Sequence, residues 1–218
     1  MLKSKKHVFW EALFVTVIVF ITGLLIGISF EKHQSDIIEN YYAQSEVSLV
    51  DIMVLQKLSD IEGYDCDVLI NANMEFADKI YFEALLLQEY ESASRIVDDL
   101  VLSHKKYDLL RTFVWANALK IFEKCSEDFT PVIYLYEQNT EDLAKKATQK
   151  VWSRILEDLK YKKGNEIILL PIAADNNLSS VNAFVNQFEI KSLPCVVVGK
   201  DVILYELTSE EAIESYLN

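Results

Sequence analysis

The chain has 218 residues, enough for one or two domains that each bury a core. Its net charge of −13 disfavours nucleic acid as a partner. Its 3 cysteines exclude a dense disulfide scaffold but allow one bridge, and with only 5 glycines and 3 prolines it favours long helices over elaborate loops.

The first element is apolar on every side. Residues 12–30, ALFVTVIVFITGLLIGISF, run without a charge, and Val8, Phe9 and Trp10 extend the stretch. At about 1.5 Å per residue, a helix of this length nearly crosses a hydrocarbon layer of roughly 30 Å. Trp10 suits the interface, and Lys3, Lys5 and Lys6 precede the segment. That flank favours a cytoplasmic tail over residues 1–7, a membrane helix over 8–30 in contact with lipid, and a body outside the cytoplasm. The rival is a cleaved signal peptide, whose apolar core is shorter and ends in small residues; Gly27-Ile28-Ser29 is the candidate cleavage point. The expected form is therefore a single-pass signal-anchor. Residues 1–30 hold three lysines and one glutamate, so the remaining chain carries −15. Such an acidic body is repelled by anionic headgroups.

Residues 31–126 contain no proline and one glycine, Gly63. Leu49, Ile52, Met53, Leu55 and Leu58 recur at helical spacing, with a break around Glu62, Gly63, Tyr64 and Asp65. Helices are predicted over 74–90 and 94–124, the second capped by Ser94, and these two are expected to pair antiparallel. Their apolar stripe is wider than a coiled-coil seam, which argues for a compact all-α region rather than a stalk. Cys66 and Cys125 flank it. Outside the cytoplasm they are a candidate disulfide; the alternative is two buried thiols.

From Phe129 the pattern changes. Residues 131–136 form a short β-rich run, and residues 140–162 an amphipathic helix with Leu143, Ala147, Val151, Ile155 and Leu159 on one stripe and Asn139 or Thr140 as cap. A buried strand is predicted over 166–174 and a helix over 179–188. Two strands follow, 195–198 and 202–206, around a turn at Gly199-Lys200-Asp201. A last helix spans 208–217, with Thr208 and Glu211 as a capping box.

The order βαβ, α, ββα, with Leu193-Pro194 just before the third strand, resembles the thioredoxin fold over residues 129–218. The stretch Lys191-Ser192-Leu193-Pro194-Cys195 matches that family's pattern. The resemblance implies a cis peptide bond at Pro194, beside a groove formed with Leu193 and Cys195. Thioredoxins carry Cys-x-x-Cys where the first strand runs into its helix. Here that place reads Asn139-Thr140-Glu141-Asp142, with no residue able to exchange disulfides. The whole architecture, an α/β thioredoxin-like domain behind a helical region and a membrane helix, resembles a group of membrane-anchored archaeal proteins. That resemblance names no activity.

Other signals are slight. His7, His33 and His104 show no metal-ligand spacing, and Asp65-Cys66-Asp67 is too short to argue for one. No phosphate-binding glycine loop and no Gly-x-Ser-x-Gly is present, so neither cofactor nor metal is implied. Asn177-Leu178-Ser179 is a glycosylation sequon. Tyr41-Tyr42 could form part of a partner face. The expectation is a non-catalytic binding or scaffold module with a protein or peptide partner. Two alternatives stand beside it: a redox helper using Cys195 or a labile Cys66/Cys125 pair, and an accessory subunit of a membrane or export complex.

Overall fold

The computed structural model describes residues 5–59, 65–93, 97–125 and 129–217. The chain divides into two compact units, Met1–Glu46 and Val47–Asn218. Helix α1 (Lys5–Ser59) starts in the first and supplies its last turns to the second. The predicted break at Glu62, Gly63 and Tyr64 and the Ser94 cap lie outside the described residues, as do the side chains of Leu55, Leu58, Tyr41, Tyr42 and His33.

In the first unit, His7–Phe30 is long and apolar enough to cross a membrane. Phe9, Trp10, Phe14, Phe20 and Ile26 all lie exposed around it. Its two threonine hydroxyls are satisfied within the helix: Thr16 Oγ1 donates to Ala12 O at 2.9 Å and Thr22 Oγ1 to Ile18 O at 2.8 Å. A helix in hydrocarbon has no other partner for them.

The second unit is built on a four-stranded sheet, β1 (Thr130–Tyr136), β2 (Ile167–Ala173), β3 (Cys195–Val198) and β4 (Val202–Leu204), in the order β2-β1-β3-β4. β1 and β2 are parallel, and β3 runs antiparallel to both β1 and β4. The helices are α2 (Cys66–Ala93), α3 (Val97–Cys125), α4 (Leu143–Lys163), α5 (Ser179–Gln187) and α6 (Glu210–Glu214). The expected element order is present, and the Leu193–Pro194 bond is cis. Val198 pairs with Val202, leaving the three-residue loop 199–201, where Gly199 takes φ 60°.

Strand alternation divides the sheet residues between two faces. Val132, Tyr134, Ile167, Val196 and Val198 pack against Trp152, Leu156 and Leu159 of α4 and Ile213 of α6. Ile133, Leu135, Ile168, Leu170, Cys195 and Val197 point the other way and are equally buried. That second face is covered by α3, which packs on β1, β2 and α5. Trp115 of α3 is fully buried and stacks on Phe184 of α5, ring centroids 4.2 Å apart. α2 lies against α3 and against β2, the edge strand. Pro171, which cannot donate to a ladder, sits on that edge.

Three local expectations are corrected. α4 is capped by Asp142, whose carboxylate accepts from Ala144 N and Lys145 N, and not by Asn139 or Thr140. Its buried row is Trp152, Leu156 and Leu159, while Leu143 (79% exposed), Ala147 and Val151 face outward. The later part of the expected stripe holds, with Leu159 buried and Ile155 packed against the core; in the earlier part Trp152, the largest apolar group on α4, takes the inward position next to Val151. α6 is capped by Ser209, which accepts from Ala212 N, and not by Thr208.

Cys66 and Cys125 form a disulfide between the start of α2 and the end of α3, with alpha carbons 5.6 Å apart. The two helices are therefore antiparallel. The bridge spans 59 residues. Closing a loop of that length removes unfolded-state entropy worth about 4 kcal/mol at most. Cys66→Ser with Cys125→Ser should lower the stability of residues 47–218 by up to that amount. Urea unfolding of the full chain in mild detergent, followed by Trp115 and Trp152 fluorescence, measures it; an unchanged midpoint would show that the bridge contributes nothing.

Candidate functional site

The turn from β1 into α4, residues 137–142, is the place where the resemblance drawn from the sequence would put a Cys-x-x-Cys pair. Here side chains of this chain occupy its donors. Gln138 N and Asn139 N donate to the two carboxylate oxygens of Asp175 at 2.9 and 2.8 Å. Glu137 exchanges backbone hydrogen bonds with the Gln149 amide, N to Oε1 and Nε2 to O, both 2.9 Å. The Glu137 carboxylate pairs with Lys145 Nζ at 2.8 Å. Asp142 takes the first amides of α4, Ala144 N at 2.8 Å and Lys145 N at 3.2 Å. A helix N-terminus lowers a thiol's pKa through these amides; here a fixed carboxylate already fills them.

Asp108 of α3 ties this turn to the helical hairpin. It is 2% exposed. One oxygen accepts from Ala173 N at 3.1 Å and the other from Asn176 Nδ2, which also lies 3.5 Å from Gln138 Oε1. Arg111 Nη1 stands 3.6 Å from Asp108 Oδ1. Burial pushes the Asp108 carboxyl above its ordinary value; Arg111 and the Ala173 and Asn176 hydrogen bonds oppose that rise without cancelling it. Sequence reading missed this residue, because its partners lie 65 and 68 positions away. The sole local signal was an acidic residue among Tyr107, Leu109 and Leu110.

β3 brings Pro194 to the same end of the sheet. Leu135 pairs with Cys195, so Pro194 lies one step beyond that pair, beside the end of β1. Pro194 and Cys195 are buried and Leu193 is partly exposed. Cys195 lies on the sheet face that α3 covers, and burial pushes its thiol up to about 12. It is the free cysteine among the described residues. Asn177 is exposed in the turn before α5, at φ 55°.

Around the β2 edge a cleft of about 490 Å³ opens between α2, α3, α4 and β1. Tyr81, Tyr107, Tyr134 and Tyr136 line it, with Arg111 and Gln138. Tyr134 and Tyr136 project from the same face of β1 and stack with centroids 5.4 Å apart. Tyr134 OH donates to Gln149 O at 3.0 Å, and burial raises its pKa above the ordinary phenol range. A smaller hollow of about 260 Å³ lies between α1, α2 and α3. Asn73 Oδ1 and both amide atoms of Asn117 are buried there without a hydrogen-bond partner in the structure. Converging amide atoms of this kind are suited to holding water.

No family model matches the chain, and no curated protein does. Among solved structures it is similar to one described as a malarial protein, at 18% identity and TM-score 0.32, over 40% of this chain and 92% of that one. It is also similar to chloroplastic thioredoxin z, at 17% identity and TM-score 0.33, over 44% of this chain and 81% of that one.

Asp108→Ala would orphan two buried donors, at a cost of about 1–3 kcal/mol each. Asp108→Asn keeps one acceptor and removes the buried charge. The raised pKa means the folded state holds the proton more tightly, so ionisation draws down wild-type stability as pH rises above 3.8 toward the raised value. Asp108→Asn, which does not titrate, should gain on wild type across that window and reach a plateau above it. Thermal unfolding of both chains from pH 3 upward reads the difference directly; a gap that widens in wild type's favour would contradict the sign.

Proposed function

We propose that this is a membrane-anchored, thioredoxin-like binding or scaffold module without thiol catalysis. The helix over His7–Phe30 anchors it, the N-terminus stays in the cytoplasm, and residues 47–218 work outside the cytoplasmic face of the cell membrane. Lysines at positions 3, 5 and 6 support that orientation. A Cys66–Cys125 bridge is in keeping with an oxidising compartment.

The observation that carries the reading is the turn at 137–142. It has no thiol, and Asp175 and Asp142 hold the amides that would activate one. Cys195 offers no substitute. At 0% exposure, with its thiol pushed up to about 12, it yields almost no thiolate at neutral pH. What remains for function is surface: the sheet end beside Pro194 and the cleft lined by tyrosines. The chain would hold a protein or peptide partner there.

Two measurements test this. First, a maleimide at pH 8 should leave the native full chain unlabelled and modify one thiol, Cys195, only after unfolding. Rapid native labelling, or reduction of a dithiol-coupled disulfide substrate, would favour the redox helper instead. Second, crosslinking in the native membrane followed by mass spectrometry should recover a partner attached near residues 137–142 or 193–195. Fixed, stoichiometric membrane partners retained in mild detergent would specify a subunit of a larger complex. Recovery of the chain alone under both conditions would overturn the binding role.

A further inference from the structure

We propose that the tyrosine-lined cleft binds a small aromatic carboxylate, with Arg111 as the residue that holds the carboxylate group. The proposal rests on the binding-module reading and names a ligand class for it.

Arg111 projects from α3 one turn after Asp108, and its side chain is 11% exposed. Its ion pair is long: Nη1 to Asp108 Oδ1 is 3.6 Å, beyond hydrogen-bonding range. The two Asp108 oxygens are already engaged by Ala173 N and Asn176 Nδ2. Asp108 thus balances the guanidinium through space without using its donors. Among the described residues no hydrogen bond to Arg111 is formed. None of its nitrogens is among the buried groups left unpaired, so its open donors reach the cleft, where a carboxylate can meet them two at a time.

The rest of the cleft selects the body of the ligand. At about 490 Å³ it is large enough for a small molecule. Tyr134 and Tyr136 lie within 20° of parallel, and Pro171 with Tyr81 and Tyr107 adds further flat groups to a lining of mixed polarity. Such flat groups suit a ring. The charge balance sets the valence. Lys150 and Glu157 both line the cleft, and both are exposed. Among the described lining residues Glu157 offsets Lys150 and would repel a polyanion such as a nucleotide, which favours a monoanion.

Fluorine NMR of the full chain in lipid nanodiscs tests the site, with 4-fluorophenylacetate as probe. Saturable broadening is expected, reversed by excess 4-hydroxyphenylacetate. The neutral analogue 4-fluorophenylacetamide should bind roughly tenfold more weakly or worse, as one charge-assisted pair predicts. Arg111→Gln should lose binding to a similar extent, with its folding checked by thermal melting. Ala84→Phe fills the cleft from α2 while leaving Arg111 and Asp108 in place, and should also abolish binding. Absence of saturable binding to wild type, equal binding of the amide, or binding that survives both variants overturns the proposal. If the probe fails while partners crosslink near residues 193–195, the cleft assignment falls and the binding module stands. Thiol–disulfide exchange by the purified chain would instead fail the binding reading itself.

Discussion

The packing of α3 on the second face of the sheet is the contact on which the rest of this protein depends. A four-stranded sheet with both faces apolar must be covered twice. Residues 129–217 supply α4 and α6 to one face, but only α5, nine residues with Val181 alone buried, to the other. Ile133, Leu135, Ile168 and Leu170 would stand largely open to water without α3. Val114, Trp115 and Ala118 of α3 are each 0% exposed. Every large side chain buried in this way contributes about 1.5–3 kcal/mol, and the small Ala118 lets the helix backbone approach closely. The hairpin of α2 and α3 is therefore part of the core.

That contact also decides the chemistry. Strand alternation points Cys195 at the face that α3 covers, so the thiol beside Pro194 is sealed in apolar surroundings. α3 further delivers Asp108 to the β2 end, where it holds Asn176 next to Asp175, the residue that takes the Gln138 and Asn139 amides. A turn that could activate a nucleophile is thereby braced from two sides by carboxylates. Rigidity of this kind suits recognition, since a partner meets a surface whose loops are already ordered.

Sequence reading recovered the features that depend on local pattern. The apolar N-terminal helix and the βαβαββα order were legible in this way; the cis bond before Cys195 came from the thioredoxin resemblance, and the Cys66–Cys125 bridge was one of two alternatives left open. What it missed depends on distance in the chain. The first half of the α4 stripe was misread because Leu143, Ala147 and Val151 form as regular a row as Thr148, Trp152 and Leu156, while Ile155 and Leu159 were placed correctly on the core side; only the presence of the sheet decides between the rows. The caps Asp142 and Ser209 lay two or one residues beyond the expected Thr140 and Thr208, within the usual scatter of helix boundaries. Asp108 and Arg111 read as ordinary charges on a helix face until β2 is placed against them. No periodicity could announce a helix whose apolar stripe serves a sheet that begins after it.

A cation with open donors in a chain of net charge −13 needs a physical account. The overall field repels anions, yet that repulsion acts over distance. At physiological salt it is screened within about 8 Å. Among the described residues the cleft is lined by Arg111 and by the mutually offsetting Lys150 and Glu157, while Asp108, which balances Arg111, is engaged by backbone and amide donors. The long-range field and the local site therefore act on different classes of ligand. Polyanions and anionic headgroups, which meet the whole acidic surface, are turned away. A small monoanion with an apolar body feels the summed charge weakly and the guanidinium strongly. On the proposed assignment, an acidic exterior around a recessed arginine would act as a filter for size and valence as well as for shape.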